Sequence, residues 1–357
     1  MIDLDINKIL REFEIDANIS TYGNGHINDT YCTNPSKYII QRINTKVFKN
    51  PYELMENIEN VTEFLGEKIK AQGGDPDRET LKVIRTRDNK NCYKYDEDNY
   101  FRVYLFISDT KTIEDDKTLC DLYEAGAGFG KFQQMLADFP VEKLHETIKD
   151  FHNTPNRVEA LKTAIKEDKA GRASSVKAEI DFALKYAKYS DVIIKGMESG
   201  EIPVRVTHND TKINNILFDS ETGKAMAVID LDTVMPGSML YDFGDALRMG
   251  GSTAPEDEVD LSKIKFDKEC FKYFAKGYLS ETKDVLTPAE IELLPFSVML
   301  FTYVCGISFL TDYLNGDTYF KIHRENHNLD RARSQFKLVS EIDAMEDELK
   351  DIVKSLL

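Results

Sequence analysis

Apolar positions along the chain change period several times, and each change marks an element. Leu4, Ile6, Ile9, Leu10 and Phe13 keep a helical spacing, which predicts a short amphipathic helix over 4–13. From Ile19 to Thr33 the pattern becomes strand, glycine-containing turn and strand, and K-Y-I-I-Q-R-I-N adds a third strand. Pro51 opens a stretch in which Leu54, Ile58, Val61, Leu65 and Ile69 recur at helix spacing until Gly73 and Gly74 stop it. Two further strands are expected at 81–85 and 100–107, with a charged hairpin between them.

Beyond Leu119 the period is helical. There E-A-G-A-G-F-G-K imitates a phosphate loop, but no strand precedes it, and Phe129, Phe132, Met135 and Leu136 keep helix spacing. Small residues for close helix packing are the better reading. A helix is expected over 180–194, and helices again from about residue 260 onward. Between them, Ile216 to Phe218 and Ala225 to Ile229 flank a Ser220 to Gly223 turn and predict a β-hairpin. Leu293 to Leu310 is uncharged over 18 positions. Its Pro295, Ser297, Thr302, Gly306 and Ser308, and its isolation, favour a buried core helix over a membrane span.

A chain of 357 residues exceeds what one core usually organises, so two lobes are expected, at 1–107 and 108–357. The net charge of -17 argues against a nucleic-acid or anionic-membrane surface, since both need clustered Lys and Arg. Five cysteines, at 32, 92, 120, 270 and 305, show neither metal-ligand grouping nor a complete pairing, which suits a reducing cytoplasm. The first residues, M-I-D-L-D-I-N-K, carry acids where a secretory signal would be basic and then apolar.

The chemistry gathers between Val206 and Asp232. Phosphoryl transfer needs a carboxylate beside the attacking hydroxyl and oxygen ligands that hold Mg²⁺ against the phosphates. His208, Asp210 and Asn215 stand at the H-x-D-x-x-x-x-N spacing of a protein-kinase catalytic loop, and the predicted hairpin returns to Asp230. Asp210 is the expected base, with Asn215 and Asp230 as metal ligands. Asp232, taken as two residues further along the same strand, would help. The D-F-G triplet at 242–244 is read as a coincidence with a structural role. In the first hairpin, Gly23 and Gly25 would let backbone N–H groups approach the phosphates of ATP. Where a protein kinase carries a strand lysine, Gln41 and Arg42 stand, and Arg42 is the expected phosphate-binding cation.

H-N-D-T-K-I-N-N-I-L-F-D and V-I-D-L-D-T-V-M-P-G resemble the aminoglycoside phosphotransferase and choline kinase superfamily, and within it the N-acetylhexosamine 1-kinases. The similarity extends to Y-G-N-G-H-I-N-D-T-Y and F-L-T-D-Y-L-N-G-D-T-Y-F-K-I-H-R, so it covers most of the chain. It implies an α+β, protein-kinase-like bilobal fold, with a small antiparallel-sheet lobe plus helix and a larger, mainly helical lobe. It also implies ATP and Mg²⁺ as cofactors, the anomeric hydroxyl of an N-acetylhexosamine as acceptor, and Asp210, His26 and Tyr319 near the sugar. One position departs from the pattern: Ser308 stands where the family carries Arg, which puts the acceptor in question more than the chemistry. The rival readings are a kinase for another sugar, an amino alcohol or an aminoglycoside, and a nucleotide-binding pseudokinase.

Overall fold

The computed structural model describes residues 5–23, 27–114 and 117–357. In chain order it has α1 (Ile6–Glu12), β1 (Asn18–Thr21), β2 (Asp29–Asn34), β3 (Tyr38–Asn44), α2 (Pro51–Ala71), α3 (Pro76–Glu79), β4 (Val83–Ile84), β5 (Tyr93–Lys94), β6 (Asn99–Leu105), β7 (Thr110–Lys111) and α4 (Leu119–Met135). There follow α5 (Thr154–Glu167), α6 (Lys177–Tyr186), α7 (Val192–Ser199), β8 (Arg205–Thr207), β9 (Ile216–Asp219), β10 (Ala225–Val228), α8 (Met239–Gly250), α9 (Lys268–Thr282), α10 (Pro288–Leu314), α11 (His327–Ala344) and α12 (Glu346–Leu356). These elements form two compact units. One holds the chain up to Ile113 with Met135–Lys149 and Asn214–Pro236; the other holds Glu114–Gln134, Asp150–Ile213 and Gly237–Leu357.

The first unit is built on an antiparallel sheet of order β1-β2-β3-β6-β4, with β5 also on β6. Strand β6 is buried over nearly its whole length, as a strand covered on both faces must be. Successive side chains alternate between those faces. Ile40 pairs with Val103 and Arg42 with Phe101, while Gln41 pairs with Arg102. The face with Ile40, Phe101 and Val103 is covered by Ile9 and Leu10 of α1 and by Phe13 and Ile15 just after it. Gln41 and Arg102 therefore belong to the other face.

Helix α2 begins where the sequence placed it. Asn50 accepts the N–H of Glu53, Pro51 occupies the first turn, and Leu54, Ile58, Val61, Leu65 and Ile69 form the buried stripe. Each such side chain contributes roughly 1.5–3 kcal/mol by leaving water. Asn57, also fully buried, takes both backbone groups of His145, accepting its N–H at 2.8 Å and donating to its carbonyl at 2.8 Å. It donates as well to the carbonyl of Val234 at 3.0 Å.

The second unit is helical. Its central helix is α10, opened by a capping box between Thr287 and Glu290. It is long and apolar enough to cross a membrane by length and composition, yet 78% of its apolar window is buried inside the protein. A Cβ at Gly126 of α4 would overlap the carbonyl of Phe274, and one at Gly277 of α9 the carbonyl of Tyr123. The glycines of E-A-G-A-G-F-G-K thus permit two helices to touch by their backbones, as the small-residue reading requires.

Two local expectations are corrected. The helix expected over 180–194 is broken into α6 and α7 by a 3-10 turn at Ala187–Tyr189, where Ser190 and Asp191 favour local turn structure over a continuing helix. The hairpin's return strand ends at Val228, Asp230 adopts a left-handed backbone with φ 59°, and Leu231–Thr233 is a 3-10 turn. Alternation along a strand therefore does not place Asp232 beside Asp230.

Candidate active site

In the helical unit, the loop that carries Asp210 is held by α8. The Asp242 carboxylate accepts the backbone N–H of His208 and of Asn209, each at 2.8 Å, and a close hydrogen bond from the Gln133 amide. The carbonyl of Asp242 accepts the Thr211 hydroxyl at 2.6 Å, and the Asp245 carboxylate accepts the Thr211 N–H at 2.9 Å. The His208 ring is buried against Phe129 and Phe132, with centroids 5.8 and 5.9 Å away. Its Nδ1 accepts the N–H of Asp210 at 3.2 Å. The aspartate of D-F-G is thus a template for the loop that carries Asp210.

Burial pushes the Asp242 carboxyl up to about 6, although the nearby His208 and the two backbone N–H groups hold it down. Asp210 pairs with Lys212 at 2.8 Å. His152 lies among Tyr241, Phe301 and Phe151. Burial, with the charge of Arg157, lowers its pKa to about 3, which keeps it neutral.

In the sheet unit, β9 and β10 form the expected hairpin. Its turn is fixed by Asp219, whose carboxylate accepts the N–H groups of Glu221 and Thr222, and Gly223 takes φ 70°. At the open end, Ile229 donates its N–H to the carbonyl of Asn215 at 2.9 Å. That bond brings Asn215 next to the residue preceding Asp230. Asp230 is exposed and left-handed, a backbone state that non-glycine residues hold at some cost and that clusters at functional sites. Among the described residues no group of three or more His, Cys, Asp or Glu is gathered for a metal. The hairpin would thus offer Mg²⁺ one amide oxygen and one carboxylate, with phosphate and water oxygens completing the set, a donor chemistry that fits this ion.

The phosphate-side residues fall out differently from one another. Gly23 has φ 74°, a conformation that favours glycine, whereas Gly25 and His26 lie outside the described residues. Arg42 sits on the α1 face of the sheet, half-exposed, paired with Asp29 at 2.6 Å and donating to Asn99 at 3.1 Å. On the opposite face, Arg102 is buried. It pairs with Asp232 at 2.5 Å, donates from Nε to Gln41 at 3.0 Å, and stacks its guanidinium 5.2 Å from the Tyr104 ring. The Asp232 Oδ1 takes the Arg102 ion pair, while Oδ2 accepts from Asn28 at 2.6 Å. The sequence reading missed Arg102. Its signal was an arginine inside N-Y-F-R-V-Y-L, a strand otherwise fit for the core.

Tyr319, expected near the acceptor, is 75% exposed, but its backbone is fixed. The buried Asp312 carboxylate accepts the N–H groups of Thr318, Tyr319 and Phe320 at 2.8–2.9 Å and the amide of Asn328 at 2.9 Å. Ser308 donates its hydroxyl to the carbonyl of Val304 at 2.7 Å.

Several solved structures share this fold. A microcompartment-associated aminopropanol kinase aligns over 96% of this chain and 97% of its own, at 17% identity and a TM-score of 0.63. An aminoglycoside phosphotransferase from Alicyclobacillus acidocaldarius aligns over 99% and 98%, at 11% identity and a TM-score of 0.63. An ethanolamine kinase of Plasmodium vivax aligns over 93% and 85%, at 14% identity and a TM-score of 0.54. At such identities the likeness establishes the α+β, protein-kinase-like fold. The family model described as "Phosphotransferase enzyme family" matches residues 19–275; with most of the chain inside that match, the protein belongs to this family, as a small-molecule kinase.

Proposed function

We propose that the chain transfers the terminal phosphoryl group of ATP directly to the anomeric C1 hydroxyl of an N-acetylhexosamine. The observation that carries the reading is the catalytic loop: Asp210 lies in a segment whose backbone is bonded at His208, Asn209 and Thr211 to Asp242 and Asp245. A base held this way waits in one geometry, which is what positioning catalysis asks for. Asp210 accepts the proton of the attacking hydroxyl. Asn215 and Asp230 hold Mg²⁺, which when bound neutralises charge on the phosphates. Gly23 and Gly25 lie over the phosphates, and His26 and Tyr319 contact the sugar. Residues 1–107 serve as the nucleotide-binding lobe and 108–357 as the catalytic and acceptor-binding lobe.

A second reading, an amino alcohol or aminoglycoside acceptor, is favoured by Ser308. Its hydroxyl is engaged by its own helix and offers no charge to a sugar amide. The names of the similar structures, an aminopropanol kinase and an ethanolamine kinase, support it at the level of fold. The deciding experiment incubates the chain with ATP and Mg²⁺ against N-acetylglucosamine, N-acetylgalactosamine, galactose, ethanolamine, aminopropanol, choline and kanamycin, with products resolved by mass and ³¹P NMR. A sugar 1-phosphate supports the first reading. Phosphorylation of an amino alcohol or kanamycin alone replaces it, and binding of ATP without any product makes the chain a pseudokinase.

A further inference from the structure

Gln41 stands on β3 next to Arg42 but on the opposite face of the sheet, and it is hydrogen-bonded to a cation from the neighbouring strand. Arg102 faces Gln41 directly across β3 and β6. Nε of Arg102 donates to the Gln41 side-chain oxygen, and the Gln41 amide donates in turn to the Thr30 hydroxyl of β2 at 3.0 Å. Nη1 pairs with Asp232, in the turn that follows Asp230. Asp232 accepts from Asn28, and Asn28 accepts the backbone N–H of Asn44 at 3.0 Å, while the Asn44 amide donates to the carbonyl of Ile27 at 3.1 Å. One arginine thus connects β2, β3 and β6, the end of the glycine-containing turn, and the acidic end of the hairpin.

The electrostatics agree with this geometry. Burial works against the Arg102 charge, but Asp232, followed by Tyr104 and Asp230, raises its pKa overall. A guanidinium is suited to the place because its planar fork serves two partners at once and stays charged when buried. Arg42, by contrast, is half-exposed and paired with Asp29, an arrangement worth little at a surface.

We propose that Arg102, rather than Arg42, is the arginine of this sheet on which metal–nucleotide binding depends. It is a positioning residue that acts through Asp232 and Asn28, setting the hairpin's acidic end against Asn28 just before β2. This inference rests on the kinase reading above. It moves this dependence from β3, where the sequence suggests it, to β6.

The test is isothermal titration of the full chain with ADP, in Mg²⁺ and in EDTA, alongside thermal unfolding, for wild type, R102K, R102M/D232N and R42Q. Removing both members of a buried ion pair is often neutral for stability, so the double variant is expected to melt near wild type. Its Mg²⁺–ADP affinity is expected to fall by about 10–100-fold, as for other residues that orient metal ligands, and by less in EDTA. R102K, which keeps the charge and loses the fork, is expected to fall in the same direction. R42Q is expected to stay within about twofold. A folded R102K, or a folded double variant, that binds Mg²⁺–ADP like wild type overturns the proposal. So does an R42Q loss as large as that of the Arg102 variants, or a loss identical in Mg²⁺ and EDTA. A wild-type chain that binds no nucleotide would instead remove the kinase reading beneath it.

Discussion

Asp242 and His208 are 34 positions apart, yet the carboxylate of the first accepts the backbone N–H of the second at 2.8 Å. The loop that carries Asp210 is therefore shaped by a helix that comes after it in the chain. With its pKa pushed up to about 6 by burial, Asp242 is ionised at neutral pH and can accept every hydrogen bond aimed at it. Below about 6 it gains a proton and loses acceptor capacity, so kcat should fall on the acid side with that midpoint. The stability effect has the opposite sign. A carboxyl whose pKa is raised in the fold contributes most below its ordinary value of 3.8, and that contribution is lost as pH rises through about 6. Asp242→Asn should remove this part of the stability profile and lower kcat at pH 7. An unchanged pH–rate profile in the variant would separate Asp242 from loop geometry.

Burial of neutral His152 predicts an acid sensitivity of the reverse kind. Its pKa is lowered from the ordinary 6.5 to about 3. Its stabilising contribution is therefore present above 6.5 and is lost as pH falls toward 3, where the unfolded chain takes up a proton that the fold refuses. His152→Gln should flatten the decline of Tm with acid over this window. A decline as steep as in wild type would assign it to other groups.

Asp210→Asn should leave ATP affinity nearly unchanged and reduce turnover by about 10²–10⁴-fold, the range for loss of a general base. Titration calorimetry and single-turnover kinetics measure the two separately. Turnover within about threefold of wild type, against the smallest loss expected of a missing base, would dismiss Asp210 from that role.

Asn57→Ala removes three hydrogen bonds to main-chain groups of His145 and Val234. Each buried group left unsatisfied costs about 1–3 kcal/mol. Urea unfolding should show a loss of that order or more, and a variant as stable as wild type would mean that water replaces the amide.

Tyr319→Ala is expected to raise KM for the acceptor on the order of tenfold, equivalent to about 1.4 kcal/mol, and to leave KM for ATP alone. Equal effects on both substrates would argue for a general disturbance of the unit.

The parts legible in the sequence were those with a local signature. The spacing of His208, Asp210 and Asn215, the apolar stripe of α2 with Asn50 and Pro51 at its start, and the hairpin turn ending at Gly223 all follow from neighbours in the chain. The belief that Asp232 continues a strand failed because a left-handed residue at Asp230 breaks the alternation first. Arg102, Asn28, Asn57 and the loop-holding role of Asp242 were not legible, since each acts on partners far away in sequence. A buried arginine or asparagine looks like any polar residue until the groups it satisfies are known. The helix-packing role of Gly126, by contrast, was legible, because Phe129, Phe132, Met135 and Leu136 keep helix spacing around it.

Asp312 gathers the N–H groups of three successive residues, Thr318 to Phe320, on one carboxylate. The segment that displays Tyr319 is consequently ordered before any acceptor arrives, and the entropy of fixing it is met during folding rather than during binding. Preorganisation of this kind lets side chains on the segment change while its path stays the same. On the proposed reading of Tyr319, acceptor preference can drift by single substitutions around it, so long as Asp312 remains in place.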